Sequence, residues 1–123
     1  MVRRILVVDD ELDIRTELAE YLEIKGYQVE VAGDGREALD KLEAAPADVV
    51  IADIKMPRYN GYELIRQLRA MDLGIRVIVM TGDPTQSGLD KAKELGVTMI
   101  IKKPINLRLL TQCLNRWNDS DEA

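Results

Sequence analysis

The chain has 123 residues, 46% hydrophobic and 32% charged, with a net charge of −5, which fits one soluble globular domain. The acidic balance weighs against nucleic acid as a direct partner, because phosphate neutralisation needs clustered lysine and arginine. The sequence contains no histidine, which excludes histidine-ligated zinc and Ser-His-Asp catalysis.

The first third of the chain predicts two strands and two helices in alternation. Residues 5–8 are uniformly apolar and mostly β-branched, which indicates a strand buried on both faces. A helical stripe over 11–25 follows, then an alternating segment at 28–32 that suits an edge strand, then a helix over 36–44. The first apolar run is too short for a signal peptide, and no run is long enough to span a bilayer.

The rest of the chain continues the same alternation. The predicted elements are, in order, a buried strand at 49–52, a helix over 62–71, a strand at 77–80, a weak helix over 85–95, a strand at 99–101 and a last helix capped by Asn106. Five strands alternating with five helices, joined by short connections, predict one doubly wound parallel α/β sheet.

The last helix predicts a continuous apolar face. That face comprises Leu109, Leu110, Cys113, Leu114 and Trp117. The single cysteine continues this face, so it is expected to pack in the core. One cysteine cannot form an internal disulfide, which fits a reducing cytosol. We expect one domain over 1–117, followed by an acidic, disordered tail at 118–123 and no attached output domain.

Polar residues stand at the carboxyl ends of the predicted buried strands. They are Asp9 and Asp10 after the first strand, Asp53 after the third, Thr81 after the fourth and Lys103 after the fifth. In a parallel sheet these ends share one edge, so the side chains are expected to converge. Taken singly, an Asp there is more often a loop cap, Thr81 a turn residue and Lys103 a solvated cation.

Three carboxylates at one edge repel one another, by roughly 4 kcal/mol per pair at 4 Å and an effective dielectric near 20. Their pKa values must rise, or a cation must lie among them. All the available donors are hard oxygens, which favours Mg²⁺, Mn²⁺ or Ca²⁺ over zinc or copper. Mg²⁺ is the expected ion, and Mn²⁺ could substitute for it. A magnesium site for phosphoryl chemistry follows, with Thr81 and Lys103 donating to a phosphoryl group on Asp53.

The motifs V-V-D-D-E, D-I-K-M-P-x-x-x-G, M-T-G and K-K-P resemble the receiver domain of bacterial two-component response regulators over residues 4–117. The resemblance implies a flavodoxin-like (βα)5 fold with strand order 2-1-3-4-5. It implies that Asp53 accepts a phosphoryl group from a phosphohistidine on a histidine kinase or phosphotransfer protein. Output would then pass to an unknown downstream protein by a changed protein–protein interaction, in the cytoplasm and without a membrane partner.

The resemblance also implies roles for the surrounding residues. Asp10, Asp53 and the backbone carbonyl of Lys55 would hold Mg²⁺, with Asp9 acting near it through water. Thr81 and Lys103 would bind phosphoryl oxygens, and the peptide bond from Lys103 to Pro104 would be cis. Independently, the spacing predicts an ion pair between Lys55 and Asp83 across the mouth of the site.

One position departs from the family pattern. The family usually has an aromatic residue three positions before the site lysine, and this chain has Ile100. Signal transmission by that ring is therefore not expected here, whereas phosphorylation is unaffected.

Two other classes of protein have similar site residues or a similar fold. A dehalogenase-like phosphatase also combines Asp, Thr, Lys and Mg²⁺, but it carries an Asp-x-Asp motif after its first strand, and none is found there. A flavodoxin-like flavin binder needs a first loop that accepts phosphate, which Asp9, Asp10 and Glu11 would repel. The receiver interpretation is favoured over both.

Overall fold

The computed structural model describes residues 2–54, 61–71, 74–82 and 86–122. Its strands are β1 (Arg4–Val8), β2 (Gln28–Ala32), β3 (Val49–Asp53), β4 (Arg76–Thr81) and β5 (Met99–Lys102). Its helices are α1 (Leu12–Ile24), α2 (Gly35–Ala44), α3 (Gly61–Ala70), α4 (Gln86–Glu94) and α5 (Leu107–Glu122). The strands are parallel in the order β2-β1-β3-β4-β5, so the predicted doubly wound flavodoxin-like fold is confirmed.

The centre of the sheet is buried on both faces. Every residue of β3 is buried, and alternate residues of it face two separate hydrophobic clusters. Ile51 packs with residues of α1 and α5 on one side of the sheet, and Val50 packs with residues of α2 and α3 on the other. This two-sided burial explains why the predicted central strands are apolar without alternation.

The register of the strands brings their carboxyl ends to one edge. Val8 of β1 pairs with Ala52 of β3, so the next residues, Asp9 and Asp53, lie side by side at the ends of these strands. On the other side of β3, Asp53 pairs with Met80, and Thr81 follows at the end of β4. The sheet thus positions the candidate site before any loop contributes to it.

Leu109 differs from its prediction. It is 37% exposed, whereas Leu110 and Leu114 are fully buried and Leu107 packs against the same core. At 100° per residue, positions 107, 110, 114 and 117 lie on one side of α5, and 109 falls at the margin of that stripe.

Helix α5 runs to Glu122 and so overlaps the segment 118–123. The expected disorder of that segment stays a prediction. Asn118 of α5 makes two long-range hydrogen bonds: its side chain accepts from the Val2 backbone N–H at 2.7 Å and donates to the Tyr27 hydroxyl at 3.1 Å. These bonds hold α5 at Asn118 against the segments that precede β1 and β2.

The predicted cap of α5 is confirmed, because Asn106 accepts from the Leu109 backbone N–H. In α1, Leu12 and Ile24 lie off the buried face and are 62% and 83% exposed. Trp117 is buried at the rim of the core, and Cys113 is buried beside it. Burial raises the pKa of the Cys113 thiol, in agreement with a packing role. Among the described residues, no helix combines the length and apolarity that crossing a bilayer requires.

Candidate functional site

Four acidic side chains meet at the carboxyl edge of the sheet. Asp9, Asp10, Glu11 and Asp53 each contribute a carboxylate oxygen, and these oxygens lie within 4.8 Å of one another. Asp9 and Asp53 are buried, whereas Asp10 and Glu11 are exposed. The predicted convergence is therefore present, and it includes Glu11, which sequence reasoning treated only as part of an acidic run.

The side chain of Asp9 is fully buried and hydrogen-bonded at both oxygens. Its Oδ1 accepts from the Glu11 backbone N–H at 2.9 Å, and its Oδ2 lies 2.9 Å from the Lys103 Nζ. Because both oxygens are engaged, Asp9 is suited to acting near a metal rather than binding it directly.

Lys103 lies between the two buried carboxylates. Its Nζ is 2.7 Å from Asp53 Oδ2 and 2.9 Å from Asp9 Oδ2, with only 15% of the side chain exposed. Burial acts to lower the pKa of Lys103, but hydrogen bonds to Asp53 and Asp9, and their charges, outweigh it. The pKa therefore lies above its ordinary value, and the ammonium is the cation that balances the buried acids. The peptide bond from Lys103 to Pro104 is cis, as the resemblance implied.

The donor set fits a hard divalent cation. Asp10 and Glu11 are exposed beside the buried Asp53, and the carboxylate oxygens of these three residues are close enough to share one ion, with Asp9 next to them. Carboxylate oxygens completed by water are the ligands that Mg²⁺ prefers, and no sulfur or imidazole contributes. These residues therefore fit a bound Mg²⁺ ion. Lys55, predicted to add its carbonyl, and Asp83, its predicted ion-pair partner, lie outside the described residues.

Thr81 lies at the same edge of the sheet, next to the backbone of Lys103. It is 5% exposed at the end of β4, in the strand next to Asp53, and its register partner in β5 is Lys102. Its backbone carbonyl accepts from the Lys103 N–H at 2.7 Å. The structure thus joins the threonine and lysine loops through the backbone.

Gly61 is a site residue whose role sequence reasoning missed. A Cβ at this position would lie 2.6 Å from the Asp53 carbonyl oxygen and 2.7 Å from Ile54 Cα. Its backbone N–H donates to the Ile54 carbonyl at 2.8 Å. Only glycine permits this approach, so the first residue of α3 rests directly on the peptide of Asp53. The G that ends the D-I-K-M-P-x-x-x-G motif was the available signal.

Arg15 of α1 was also missed, and it supports the acidic turn. Its Nη1 donates to the Asp9 carbonyl oxygen at 3.0 Å, at the point where β1 ends. The bond orients the peptide that carries Asp10. An arginine one turn into a helix is usually a solvated residue, so the sequence held no distinguishing signal.

Known proteins are similar to this chain in sequence and in fold. Residues 5–115 match the family model described as "Response regulator receiver domain". Response regulator MprA of Mycolicibacterium vanbaalenii is 39% identical over 107 residues, which are 87% of this chain and 46% of that protein. The chain therefore spans about half the length of that relative.

Two further similarities extend over nearly the whole of both chains. Sporulation initiation phosphotransferase F of Bacillus subtilis is 32% identical, covering 95% of this chain and 94% of that protein. A CheY-like receiver domain protein of Methanospirillum hungatei superposes with a TM-score of 0.91 at 31% identity, over 99% and 98% of the two chains. With the family match, these similarities show that the chain belongs to the response regulator receiver domain family of two-component systems.

Proposed function

We propose that this domain accepts a phosphoryl group on Asp53 from a phosphohistidine of a partner protein, with Mg²⁺ bound at the acidic edge. Receiver domains are signalling domains rather than classical enzymes. The domain would catalyse only its own phosphorylation and dephosphorylation. In the transfer, the bond from phosphorus to the histidine nitrogen breaks, and a bond from phosphorus to an Asp53 oxygen forms.

The contact between Lys103 and Asp53 carries this proposal. At 2.7 Å from Asp53 Oδ2, the ammonium lies where it can bind an oxygen of a phosphoryl group on that carboxylate. Thr81, buried in the adjacent strand, is the corresponding hydroxyl donor. Bound Mg²⁺ would neutralise charge on the transferring group, and Asp10 and Asp53, with Lys55, would hold it.

The proposal is tested by intact mass after incubation with acetyl phosphate and Mg²⁺. We expect one added phosphoryl group on the wild type and none on Asp53→Asn, because Asp53 contacts Lys103 and lies in the strand that pairs with β4, which ends at Thr81. Asp40→Asn, an exposed position of α2, is the matched control and should be labelled like the wild type. Labelling of Asp53→Asn, or labelling that survives excess chelator, contradicts the assignment.

Metal binding should stabilise the folded domain. At a free Mg²⁺ concentration 100 times the dissociation constant, the gain is about 2.7 kcal/mol if only the folded state binds. Asp10→Asn should reduce that gain and raise the stability of the metal-free protein by about 1 kcal/mol, since Asp10 is exposed and its repulsion is screened. Thermal melts with and without Mg²⁺ measure both effects. A melting temperature indifferent to millimolar Mg²⁺ argues against a metal site.

The surface beside Lys103 suits the phosphohistidine partner. A groove of about 440 Å³ runs between α1 and the segment after β5. Its lining is Ile14, Glu17, Leu18, Lys103, Pro104, Ile105 and Leu107. Leu12, 62% exposed, adds apolar surface at the start of α1. An apolar groove next to the phosphoacceptor is a natural contact for a protein that must bring its histidine to Asp53.

Alanine at Leu12 or Ile14 should slow transfer from a phosphohistidine donor protein roughly tenfold, as loss of an interface anchor does. Labelling by acetyl phosphate should be spared, because the small donor needs no docking surface. Ile24→Ala, at the far end of α1 and 83% exposed, is the control and should leave both rates unchanged. Equal loss with both donors would indicate misfolding and reject the docking role.

The consequence of phosphorylation would be a changed interaction with a downstream protein in the cytoplasm.

A further inference from the structure

Helix α4 has few apolar contacts of its own. Of its described side chains, at 89–94, only that of Ala92 is buried, and Leu89 is half-buried. Gly88 lies in its first turn, where glycine has a lower helix propensity than alanine. A helix with so little buried surface opens locally at low free energy, so its order depends on contacts from neighbouring elements.

The first half of α4 is held by Tyr62 of α3. The Tyr62 hydroxyl donates to the Gly88 carbonyl at 3.2 Å. The Lys91 Nζ lies 4.5 Å from the centroid of the same ring, within the range of a cation–π interaction. One side chain of α3 therefore contacts α4 through both its ring and its hydroxyl.

The end of α4 is held by Arg69, also of α3. Its Nε donates to the Leu95 carbonyl at 3.3 Å, and its Nη2 donates to the Gly96 carbonyl at 2.6 Å. A cation at these carbonyls satisfies the open end of the helix and complements its dipole. Helix α3 thus fastens both ends of α4.

Helix α3 in turn begins on the phosphoacceptor. Gly61 is in contact with the peptide of Asp53 and hydrogen-bonded to the Ile54 carbonyl, with no room for a Cβ. A change in the backbone of Asp53 must therefore displace the start of α3. Tyr62 is the next residue, so it moves with that start.

We propose that Tyr62 transmits the state of Asp53 to α4. The inference rests on the proposed phosphorylation of Asp53. It supplies a route that needs no ring at position 100, where Ile100 is half-buried and packs against the cluster shared with α2 and α3. Tyr62 is a positioning residue in this scheme: it sets the order of α4 and has no contact with the transferred group.

The test is amide hydrogen exchange across α4, without ligand and with beryllofluoride plus Mg²⁺ as the phosphoryl mimic. In the wild type, exchange in α4 should slow with the mimic. Tyr62→Phe keeps the ring over which Lys91 lies and removes the hydroxyl. Its α4 amides should exchange roughly fivefold faster without ligand, as the loss of one hydrogen bond predicts, and most of the slowing should be lost. Acetyl phosphate labelling of Asp53 should be unchanged.

Tyr21→Phe is the matched control. Its hydroxyl makes a 2.7 Å hydrogen bond to the Thr111 hydroxyl, between α1 and α5 on the opposite side of the sheet. This variant should keep the wild-type response of α4. A full response in Tyr62→Phe, equal losses in the two variants, or no response in the wild type would each overturn the inference. If Asp53 is nevertheless labelled, the proposed function stands; if it is not labelled, both fail.

Discussion

Replacing Lys103 with methionine is expected to lower the free energy of unfolding of the metal-free domain by about 3 kcal/mol. Removing one partner of a buried ion pair costs about 3 to 5 kcal/mol, and the lower end applies because Lys103 keeps 15% exposure. The variant leaves Asp9 and Asp53 facing each other without the ammonium between them. Urea unfolding in chelator measures the loss.

Mg²⁺ should restore more stability to Lys103→Met than to the wild type, because the metal then supplies the missing positive charge. The neighbouring Lys102→Met is the control, since Lys102 is exposed, and it should unfold like the wild type. Equal unfolding free energies for the two variants would contradict the role of Lys103 as the counter-charge of the buried acids.

The same ion pair predicts a dependence on alkaline pH. Because the pKa of Lys103 is raised in the folded protein above the ordinary 10.5, its stabilisation is complete below 10.5. This stabilisation is lost as the pH rises through the pKa that Lys103 has in the folded protein, where the ammonium deprotonates. The difference in stability between wild type and Lys103→Met should therefore shrink in that window, and a difference that persists unchanged there would contradict the ion-pair account.

Gly61→Ala should destabilise the domain by about 3 kcal/mol, the upper part of the usual range for overpacking. The added Cβ would meet the Asp53 carbonyl oxygen at 2.6 Å and Ile54 Cα at 2.7 Å, and backbone atoms cannot rotate away. Alanine gains about 1 kcal/mol of helix propensity over glycine, which is too little to offset the clash. The clash also displaces Asp53, so the stabilisation by Mg²⁺ should fall as well.

Gly82→Ala is the matched control for this effect. Gly82 follows β4 at the same edge of the sheet, and a Cβ there meets none of the described residues within 4 Å. We expect it to unfold within about 0.5 kcal/mol of the wild type, as substitutions away from special features do. If Gly61→Ala unfolds like Gly82→Ala, the close approach of α3 to Asp53 does not constrain the site.

The strands and helices were predictable because their hydrophobic patterns are unambiguous. Buried parallel strands such as β3 are continuous apolar runs, and each helix carries its own stripe and stop signals. The convergence of Asp9, Asp53 and Lys103 follows from topology alone, since parallel strands share one carboxyl edge. Residues 94 apart could therefore be placed together without coordinates.

The contacts that depend on loop geometry and side-chain direction could not be predicted in this way. Lys103 was expected to bind a phosphoryl group. It also neutralises the charge of the buried Asp9, and only the positions of the two side chains show this. Gly61 entered the sequence analysis only as the last residue of a motif, because a sequence does not show which backbone passes close to it. Leu109 is exposed because it lies at the margin of the buried face of α5. A sequence pattern does not locate that margin to the exact residue.

The most direct measurement is the chemical identity of residue 53 after phosphorylation. Borohydride reduces an acyl phosphate to the alcohol, so a phosphorylated aspartate becomes homoserine, which peptide mass spectrometry locates. After incubation with acetyl phosphate and Mg²⁺, the account predicts homoserine at position 53 and unchanged aspartate at Asp9 and Asp10. Homoserine at Asp9 or Asp10, or aspartate retained at position 53 in protein that carries the added phosphoryl mass, would contradict it.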